Sequence, residues 1–267
     1  MATDQGTNQS VEKAAAVLAT FLPGRSLRAA DVAAATGVGQ STASRLLSTL
    51  ESIGYVERDS GTNLYRLGPA LITLAGAALN QDPVHRAARQ RAQELAASLG
   101  LGANVATRRE DSLFYLCNFE GAQAPKSYVL TGQRNPLHAT GIGKCLLTGL
   151  SASARRELLP ELTRFTPQTV TDHTTLDDTL AEATERGYAV EVEELALGRA
   201  CIAAPILDQS GAVAAAISVS GPLSALDLSS REPELARTVI EVADAISVDL
   251  GYLGPQHTTA AVLGVGR

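Results

Sequence analysis

The sequence predicts an α+β protein with an N-terminal winged helix-turn-helix domain, linker helices and a C-terminal α/β domain. Three observations lead to this fold class. Apolar residues recur at helical spacing in three segments before residue 54, and two short alternating strands then flank the turn sequence DSGTN. Beyond residue 100, short apolar strands alternate with amphipathic helices. The predicted boundaries are 9–68, 69–99 and 100–252, followed by a disordered tail over 253–267.

The N-terminal segment follows the order helix, helix, turn, helix, hairpin, which is the order of a winged helix-turn-helix. The third helix places Ala43, Leu47 and Leu50 on one face and small polar side chains on the other. The predicted elements are helices at 10–21 (capped by Ser10), 28–36 and 40–53, and strands at 55–58 and 64–67.

In a helix-turn-helix, the first turn of the second helix of the motif reaches the base edges of double-stranded DNA. The candidate DNA contacts are therefore Gln40, Ser41, Thr42, Ser44 and Arg45 on that helix, and Arg58, Asn63, Tyr65 and Arg66 on the wing. An ordinary three-helix bundle with a polar outer face would show the same periodicity. The added hairpin favours the DNA-binding interpretation, with operator DNA as the partner.

Charge and composition bound the remaining classes. The net charge is −6, but residues 1–68 carry six basic and six acidic side chains, so the predicted DNA-binding domain is neutral. A neutral domain binds DNA weakly, and we expect a homodimer or a dimer of dimers to supply affinity. No apolar run approaches the ~20 residues that span a bilayer, and the first residues lack a signal-peptide pattern, which predicts a cytoplasmic protein without a membrane partner.

The three cysteines and four histidines are scattered, so we expect no disulfide framework, no metal site and no cofactor. The sequence also lacks a G-x-S-x-G nucleophile motif, and the carboxylate run at Glu191, Glu193 and Glu194 is typical of a solvated strand end. An enzyme is therefore not predicted. The alternative is an enzyme or a small-molecule binder whose N-terminal domain contacts other proteins.

The rest of the chain contains two linker helices, at 71–79 and 84–99, separated by Asp82-Pro83. In the C-terminal domain the predicted strands are 104–108, 113–119, 128–131, 188–192, 200–207 and 213–220, and the predicted helices are 141–150, 153–159, 176–187 and 234–250. The last helix aligns an apolar stripe that would pack on the sheet.

One predicted strand, 213–220, has a face of small residues that ends in Ser218 and Ser220. Arg199 and Cys201 share a parity on the neighbouring strand. A small, hydroxyl-bearing face leaves room for a ligand beside the sheet, although small residues also permit close helix packing.

The segment PLHATGIGKCLL runs from a turn into a helix. Gly141 and Gly143 allow close backbone approach, and a helix start offers free N–H groups to an anion. Cys145 stands where a phosphate-binding Walker motif requires Ser or Thr, so an organic or aromatic carboxylate is the more economical anion.

Taken together, these blocks resemble the IclR-type regulators from about Gln9 to Tyr252. The stretch DVAAATGVGQSTASRLLSTLESIGYVERD is similar to that family's winged domain, and PLHATGIGKCLL, RGYAVEVEELALGRACIAAPILD and AAISVSGPL are similar to its effector domain. The resemblance implies a DNA-binding regulator with a GAF-like effector domain that acts as a dimer or a dimer of dimers. It also implies an effector pocket lined by Gly141, Ile142, Glu191, Cys201, Ser218 and Ser220. Glu191 stands where Asp is usual.

Overall fold

The computed structural model describes residues 8–124 and 129–254. The chain divides into two compact units, the first ending at Gln81 and the second beginning at Asp82. This division falls inside the segment 69–99 that the sequence predicts as a linker, so each of its two helices belongs to a different unit. The predicted tail lies outside the described residues from position 255 onward.

The first unit is a winged helix-turn-helix. Its elements are α1 (Gln9–Ala19), α2 (Ala29–Thr36), α3 (Gln40–Ser52), β1 (Val56–Arg58), β2 (Tyr65–Leu67) and α4 (Pro69–Gln81). Val17, Phe21, Val32 and Leu47 form its core. The cap of α1 differs from the prediction, because Asn8 rather than Ser10 caps the helix by accepting a hydrogen bond from the Ser10 N–H.

The wing is an antiparallel hairpin whose second strand also pairs with the segment between α1 and α2. Strand β1 pairs with β2, and Leu27 exchanges two backbone hydrogen bonds with Tyr65, at 2.8 and 2.9 Å. The turn between the strands is closed by Asp59, whose Oδ1 accepts from the N–H groups of Gly61 and Thr62. Hydrogen bonds from Thr62 lower the pKa of Asp59, so the turn is held by a carboxylate at neutral pH.

The second unit is an α+β domain built on one antiparallel sheet, with a GAF-like architecture. Its elements are α5 (Pro83–Leu99), β3 (Gly102–Arg109), β4 (Ser112–Phe119), β5 (Arg134–Pro136), α6 (Gly141–Thr148), α7 (Ala152–Leu158), α8 (His173–Arg186), β6 (Ala189–Val192), β7 (Arg199–Leu207), β8 (Val213–Pro222), α9 (Leu223–Leu226) and α10 (Leu228–Asp249). The strands follow the order β5-β4-β3-β8-β7-β6.

Helices cover both faces of this sheet. Helix α5 packs on β3 and β4, while α10 packs on β7 and β8 and also contacts α5. Helix α6 packs on β7 and β8 from the other side, together with α8, around a core that includes Leu113, Ile142, Leu147, Leu176 and Leu180. Burial of these apolar side chains is the main stabilising contribution to such a layered domain.

Two predicted elements of the second unit are wrong in position. The strand expected at 128–131 is absent over the part that the structure describes, because Val129 and Leu130 are irregular and the chain then turns at Gly132, where φ is 85°. The strand of this region is β5, which pairs with β4 three residues further on. Helix α10 begins at Leu228 rather than at 234, and it continues through Pro233.

Across residues 8–124 and 129–254, no helix is both long and apolar enough to cross a bilayer.

Candidate nucleic-acid interface and ligand cavity

Helix α3 presents a polar face because its opposite face is fixed in the core. Gly37 ends α2 in the left-handed conformation, with φ at 70°, and the turn through Gly39 starts α3. Ala43, Leu47 and Leu50 are buried. The predicted DNA contacts lie on the other side: Gln40, Ser41, Ser44 and Arg45 are exposed, and Thr42 is half-buried.

These five side chains have no partner among the residues that the structure describes. None of them forms a side-chain hydrogen bond or an ion pair with another residue in the described part of the chain. Their donors and acceptors are therefore free to bond base edges or phosphates, as the first turn of a recognition helix requires.

The wing side chains, in contrast, form an ion pair and a hydrogen bond with one another and with Glu57. Arg66 forms an ion pair with Glu57, with Nη2 and Oε2 2.8 Å apart. Arg58 donates to the side-chain oxygen of Asn63 at 2.7 Å, and its guanidinium lies 5.6 Å from the centre of the Tyr65 ring. Asn63 adopts a left-handed conformation with φ at 58°, which Asn tolerates better than most residues. Arg58, Asn63 and Arg66 are exposed.

Tyr65 corrects the sequence prediction. Its side chain is 7% exposed and belongs to the core of the first unit. Within β2, Tyr65 is buried and the adjacent Arg66 is exposed, since neighbouring side chains of a strand point to opposite faces. The Tyr65 side chain is therefore a packing residue that supports Arg58, and it is not available as a DNA contact.

The second unit contains a cavity of about 430 Å³ beside the sheet, on the side of α6. Six of the seven residues predicted to bind an effector line it, namely Ile142, Glu191, Arg199, Cys201, Ser218 and Ser220. Gly141 lies against the same wall, since a Cβ at this position would lie 2.8 Å from Cys201 Sγ. The small residues of β8 thus border an open space at Ser218 and Ser220.

The start of α6 forms one end of this cavity. Thr140 caps the helix by accepting a hydrogen bond from the Gly143 N–H at 3.0 Å, and both Thr140 and Ile142 line the cavity. Gly143 permits this geometry, because a Cβ there would lie 2.1 Å from the carbonyl oxygen of Leu137. The capping arrangement leaves the Ile142 N–H without a hydrogen-bond partner among the described residues.

Two serines of β8 line the cavity, and their hydroxyls differ in hydrogen bonding. Ser218 is 2% exposed, yet its hydroxyl has no hydrogen-bond partner within residues 8–124 and 129–254. Ser220 accepts a hydrogen bond from Asn104 Nδ2 at 3.1 Å. The remaining hydrogen of Ser220 is therefore free to donate to a ligand.

A relay of amides fixes the polarity of Ser220. The Leu130 N–H donates to Asn118 Oδ1 at 3.3 Å, and Asn118 Nδ2 donates to Asn104 Oδ1 at 2.9 Å. A backbone N–H can only donate, so each amide in turn is oriented, and Ser220 becomes the acceptor at the end of the chain. Sequence reasoning missed both asparagines, because nothing in their spacing relates them to β8.

Glu191 is buried rather than solvated. Its Oε1 accepts from the N–H groups of Glu194 at 2.6 Å and Leu195 at 3.3 Å, so the carboxylate holds the loop that follows β6. Burial raises the pKa of Glu191. Cys201 Sγ lies 3.5 Å from Glu191 Oε2, and burial together with this carboxylate raises the pKa of the Cys201 thiol well above its usual range.

A buried ion pair supports the same loop and was not predicted. Lys144 on α6 contacts Glu194 Oε1, and both residues are buried. Thr166 and Thr169 donate to the carbonyl oxygens of Glu193 and Glu194 at 2.6 Å each. The partners lie 50 residues apart along the chain in the case of Lys144 and Glu194, which is why local patterns could not relate them.

No group of three or more His, Cys, Asp or Glu side chains is placed to hold a metal ion anywhere in the described ranges.

Comparison with known proteins agrees with this architecture. The model of the bacterial transcriptional regulator IclR C-terminal domain matches residues 76–248, and the model of the IclR helix-turn-helix domain matches residues 10–60. The chain belongs to the IclR family. It is therefore a DNA-binding transcriptional regulator, and the enzyme alternative is set aside because the matched relatives are regulators.

Individual IclR-family proteins match over almost the whole chain. The HTH-type transcriptional regulator BhcR of Paracoccus denitrificans is 33% identical over 92% of this chain and 88% of its own length. The HTH-type transcriptional repressor AllR of Escherichia coli is also 33% identical, over 91% of this chain and 90% of its own.

Solved structures of bacterial proteins share the fold. A transcriptional regulator from Rhodococcus sp. RHA1 superposes with a TM-score of 0.83 at 26% identity, covering 91% of this chain and 98% of that one. An IclR homolog from Microbacterium hydrocarbonoxydans, solved in complex with 4-hydroxybenzoate, gives a TM-score of 0.79 at 26% identity, covering 90% and 98%.

Proposed function

We propose that this protein is a cytoplasmic repressor that binds operator DNA as a homodimer or a dimer of dimers, and that a small organic carboxylate bound in the cavity modulates this binding. The observation that carries the effector class is the convergence of unused hydrogen-bond donors on one end of the cavity. Repressor action is supported by the similarity to AllR, which is named as a repressor.

The donors suit a carboxylate. Ser218, Ser220 and Ile142 all line the same cavity, and they carry an unpartnered hydroxyl, a remaining hydroxyl hydrogen and an unpartnered backbone N–H among the described residues. A carboxylate accepts several hydrogen bonds, and the positive end of the α6 dipole favours an anion. Arg199 also lines the cavity and supplies a positive charge. The Microbacterium homolog, which is complexed with 4-hydroxybenzoate, shows that one protein of this fold holds an aromatic carboxylate.

Dimerisation is supported by α4 and by the charge of the first unit. Helix α4 is rich in Leu, Ile and Ala, yet it buries none of its residues, and Ile72 and Leu74 are 77% and 50% exposed. An apolar helix with no internal partner is typical of a protein–protein interface. We propose that a second copy of the chain covers α4. Two winged helix-turn-helix units, each without net charge, would then bind one palindromic operator.

Effector control requires that the ligand bind one arrangement of the dimer more tightly than another. We propose that α5 carries this preference, because α5 follows the junction at Asp82 and packs on β3 and β4, which carry Asn104 and Asn118. Occupation of the cavity would then alter the sheet on which α5 rests.

The test is a gel-shift titration with DNA flanking the protein's own gene, at low salt and against a scrambled duplex. We expect specific retention that weakens as salt rises, since phosphate contacts release counterions. The absence of specific retention at low salt would contradict the proposal. The effector class is tested by a thermal-shift screen of organic acids and neutral apolar compounds, in which stabilisation by the neutral compounds alone would refute a carboxylate.

A further inference from the structure

The sheet face that carries the two serines also presents a second polar pair to the cavity, Tyr115 on β4 and Asn135 on β5. Asn135 Nδ2 donates to the Tyr115 hydroxyl oxygen at 3.2 Å. Both residues line the cavity, and Tyr115 is 7% exposed. The pair is not among the donors to which the carboxylate is assigned above.

A β-bulge places Tyr115 in this position. In a regular strand, Tyr115 and Asn118 would point to opposite faces, because they are three residues apart. Their partners on β3 are Ala106 and Asn104, which share a face, so Leu116 is an extra residue in β4. Bulges commonly re-aim side chains beside binding sites. Here the bulge directs both Tyr115 and Asn118 into the cavity.

The pair retains at least one free donor and one free acceptor. The Tyr115 oxygen accepts from Asn135, so its hydrogen has no partner within the described residues, and Asn135 Oδ1 is also without one there. Burial raises the pKa of Tyr115 to about 12, so the phenol keeps this hydrogen at neutral pH. If the Asn135 amide were reversed, Nδ2 would be the free donor and the phenol oxygen the free acceptor, with the same total.

The backbone holds the pair rigidly. Tyr115 N–H donates to the Gln133 carbonyl at 3.1 Å, and Gly132 N–H donates to the Tyr115 carbonyl at 2.9 Å. Asn135 is paired opposite Leu113 in the sheet. A donor and an acceptor fixed side by side match a hydroxyl group, which accepts one hydrogen bond and donates another.

We propose that Tyr115 and Asn135 determine specificity by binding a hydroxyl group of the effector, so that the protein prefers hydroxylated carboxylates to their unhydroxylated counterparts. This inference rests on the proposed function, since it assigns the second polar group of the same ligand. Tyr115 donates to the ligand oxygen, and Asn135 accepts the ligand hydrogen. An unhydroxylated analogue would leave both groups desolvated and unpaired.

The test uses pairs of carboxylates that differ by one hydroxyl group, such as lactate and propionate, or 4-hydroxybenzoate and benzoate. Each is titrated into the full-length protein by calorimetry, and the pair with the tightest member is analysed further. We expect the hydroxylated member to bind about threefold to tenfold more tightly, which is the range that neutral hydrogen bonds supply. Tyr115→Phe should reduce this preference to less than about twofold, because it weakens binding of the hydroxylated member and removes a hydroxyl that the unhydroxylated member leaves unpaired.

The matched control is Tyr188→Phe, which removes a hydroxyl that donates to Glu232 and does not line the cavity. The control should keep the full preference. Equal binding of both members by the wild type, or an unchanged preference in Tyr115→Phe, would overturn the inference while leaving the carboxylate proposal intact. If no carboxylate of any pair binds, the proposed effector class fails and this inference fails with it.

Discussion

The polar face of α3 and the cavity of the second unit both carry small polar and amide side chains. Among the described residues, the side chains at the start of α3 lack hydrogen bonds, whereas the asparagines of the cavity are held by hydrogen bonds. On α3, the side chains of Gln40, Ser41 and Arg45 are exposed and form no hydrogen bonds with other described residues. In the cavity, Asn104 and Asn118 are held by an oriented relay that starts at a backbone N–H. One surface keeps its polar groups free, and the other keeps them fixed.

This difference follows from what each surface binds. DNA is a large polyanion whose phosphates and base edges supply partners over an extended area, so flexible side chains can order on contact. A small ligand offers few contacts, and its affinity depends on groups that are already in place. We therefore expect mutations of the residues that hold the cavity in place to act through rigidity, and mutations on α3 to act through direct contacts.

The largest effect should come from the ion pair that supports the cavity loop. Glu194→Leu leaves the Lys144 ammonium buried without its partner, and we expect a loss of about 3–5 kcal/mol in the free energy of unfolding of the second unit. Hydrogen exchange should show lost protection in residues 102–249 and unchanged protection in 9–67. The double variant Lys144→Met/Glu194→Leu should recover most of the loss. A cost below about 1 kcal/mol for Glu194→Leu would show that the pair does not hold the loop.

Arg45 and Arg66 of the winged helix-turn-helix should contribute differently to operator affinity. Arg45 is free, and Arg45→Ala should weaken specific operator binding by ~1–3 kcal/mol if it contacts a base. Arg66 is neutralised by Glu57, so Arg66→Ala should cost less than about half as much. Gel-shift titrations at one salt concentration compare the two. Equal losses would mean that the ion pair opens on DNA.

A smaller effect is expected from the amide relay. Asn118→Ala removes the donor that orients Asn104, so Ser220 loses its fixed polarity, and we expect carboxylate binding to weaken by about 0.5–1.5 kcal/mol. Calorimetry measures this, with Gln209→Ala as the control, because this exposed amide lies in the turn between β7 and β8 and does not line the cavity. Unchanged affinity in Asn118→Ala would limit the relay to a structural role.

The smallest effect is a pH dependence from Glu191. Because burial raises the pKa of Glu191, the folded protein binds a proton there that the unfolded chain has already released. Its contribution to stability is full below the ordinary pKa and is lost as pH rises through the raised value. Urea unfolding across this window should show a steeper decline in wild type than in Glu191→Gln. Parallel curves would contradict the shift.

Much of the fold followed from local pattern. The helical spacing of Ala43, Leu47 and Leu50 fixed both α3 and its exposed face, and the alternation of β8 located Ser218 and Ser220. The prediction of Tyr65 as a DNA contact was wrong because the sequence of a short strand does not show which of its faces packs on the core. In a regular β4, Asn118 would lie on the face opposite to Tyr115, and the bulge at Leu116 places both on the cavity face. Partners that are far apart in the chain, such as Lys144 and Glu194, leave no local pattern in the sequence.

The most direct measurement compares operator affinity with and without the carboxylate that best stabilises the protein, in wild type and in Ser218→Ala. We expect the carboxylate to change the wild-type dissociation constant by at least about fivefold, the lower range of allosteric coupling. Ser218→Ala should bind the operator equally well without ligand and should lose most of this change. An unaltered ligand effect in Ser218→Ala, or no effect in wild type, would contradict control of DNA binding from the cavity.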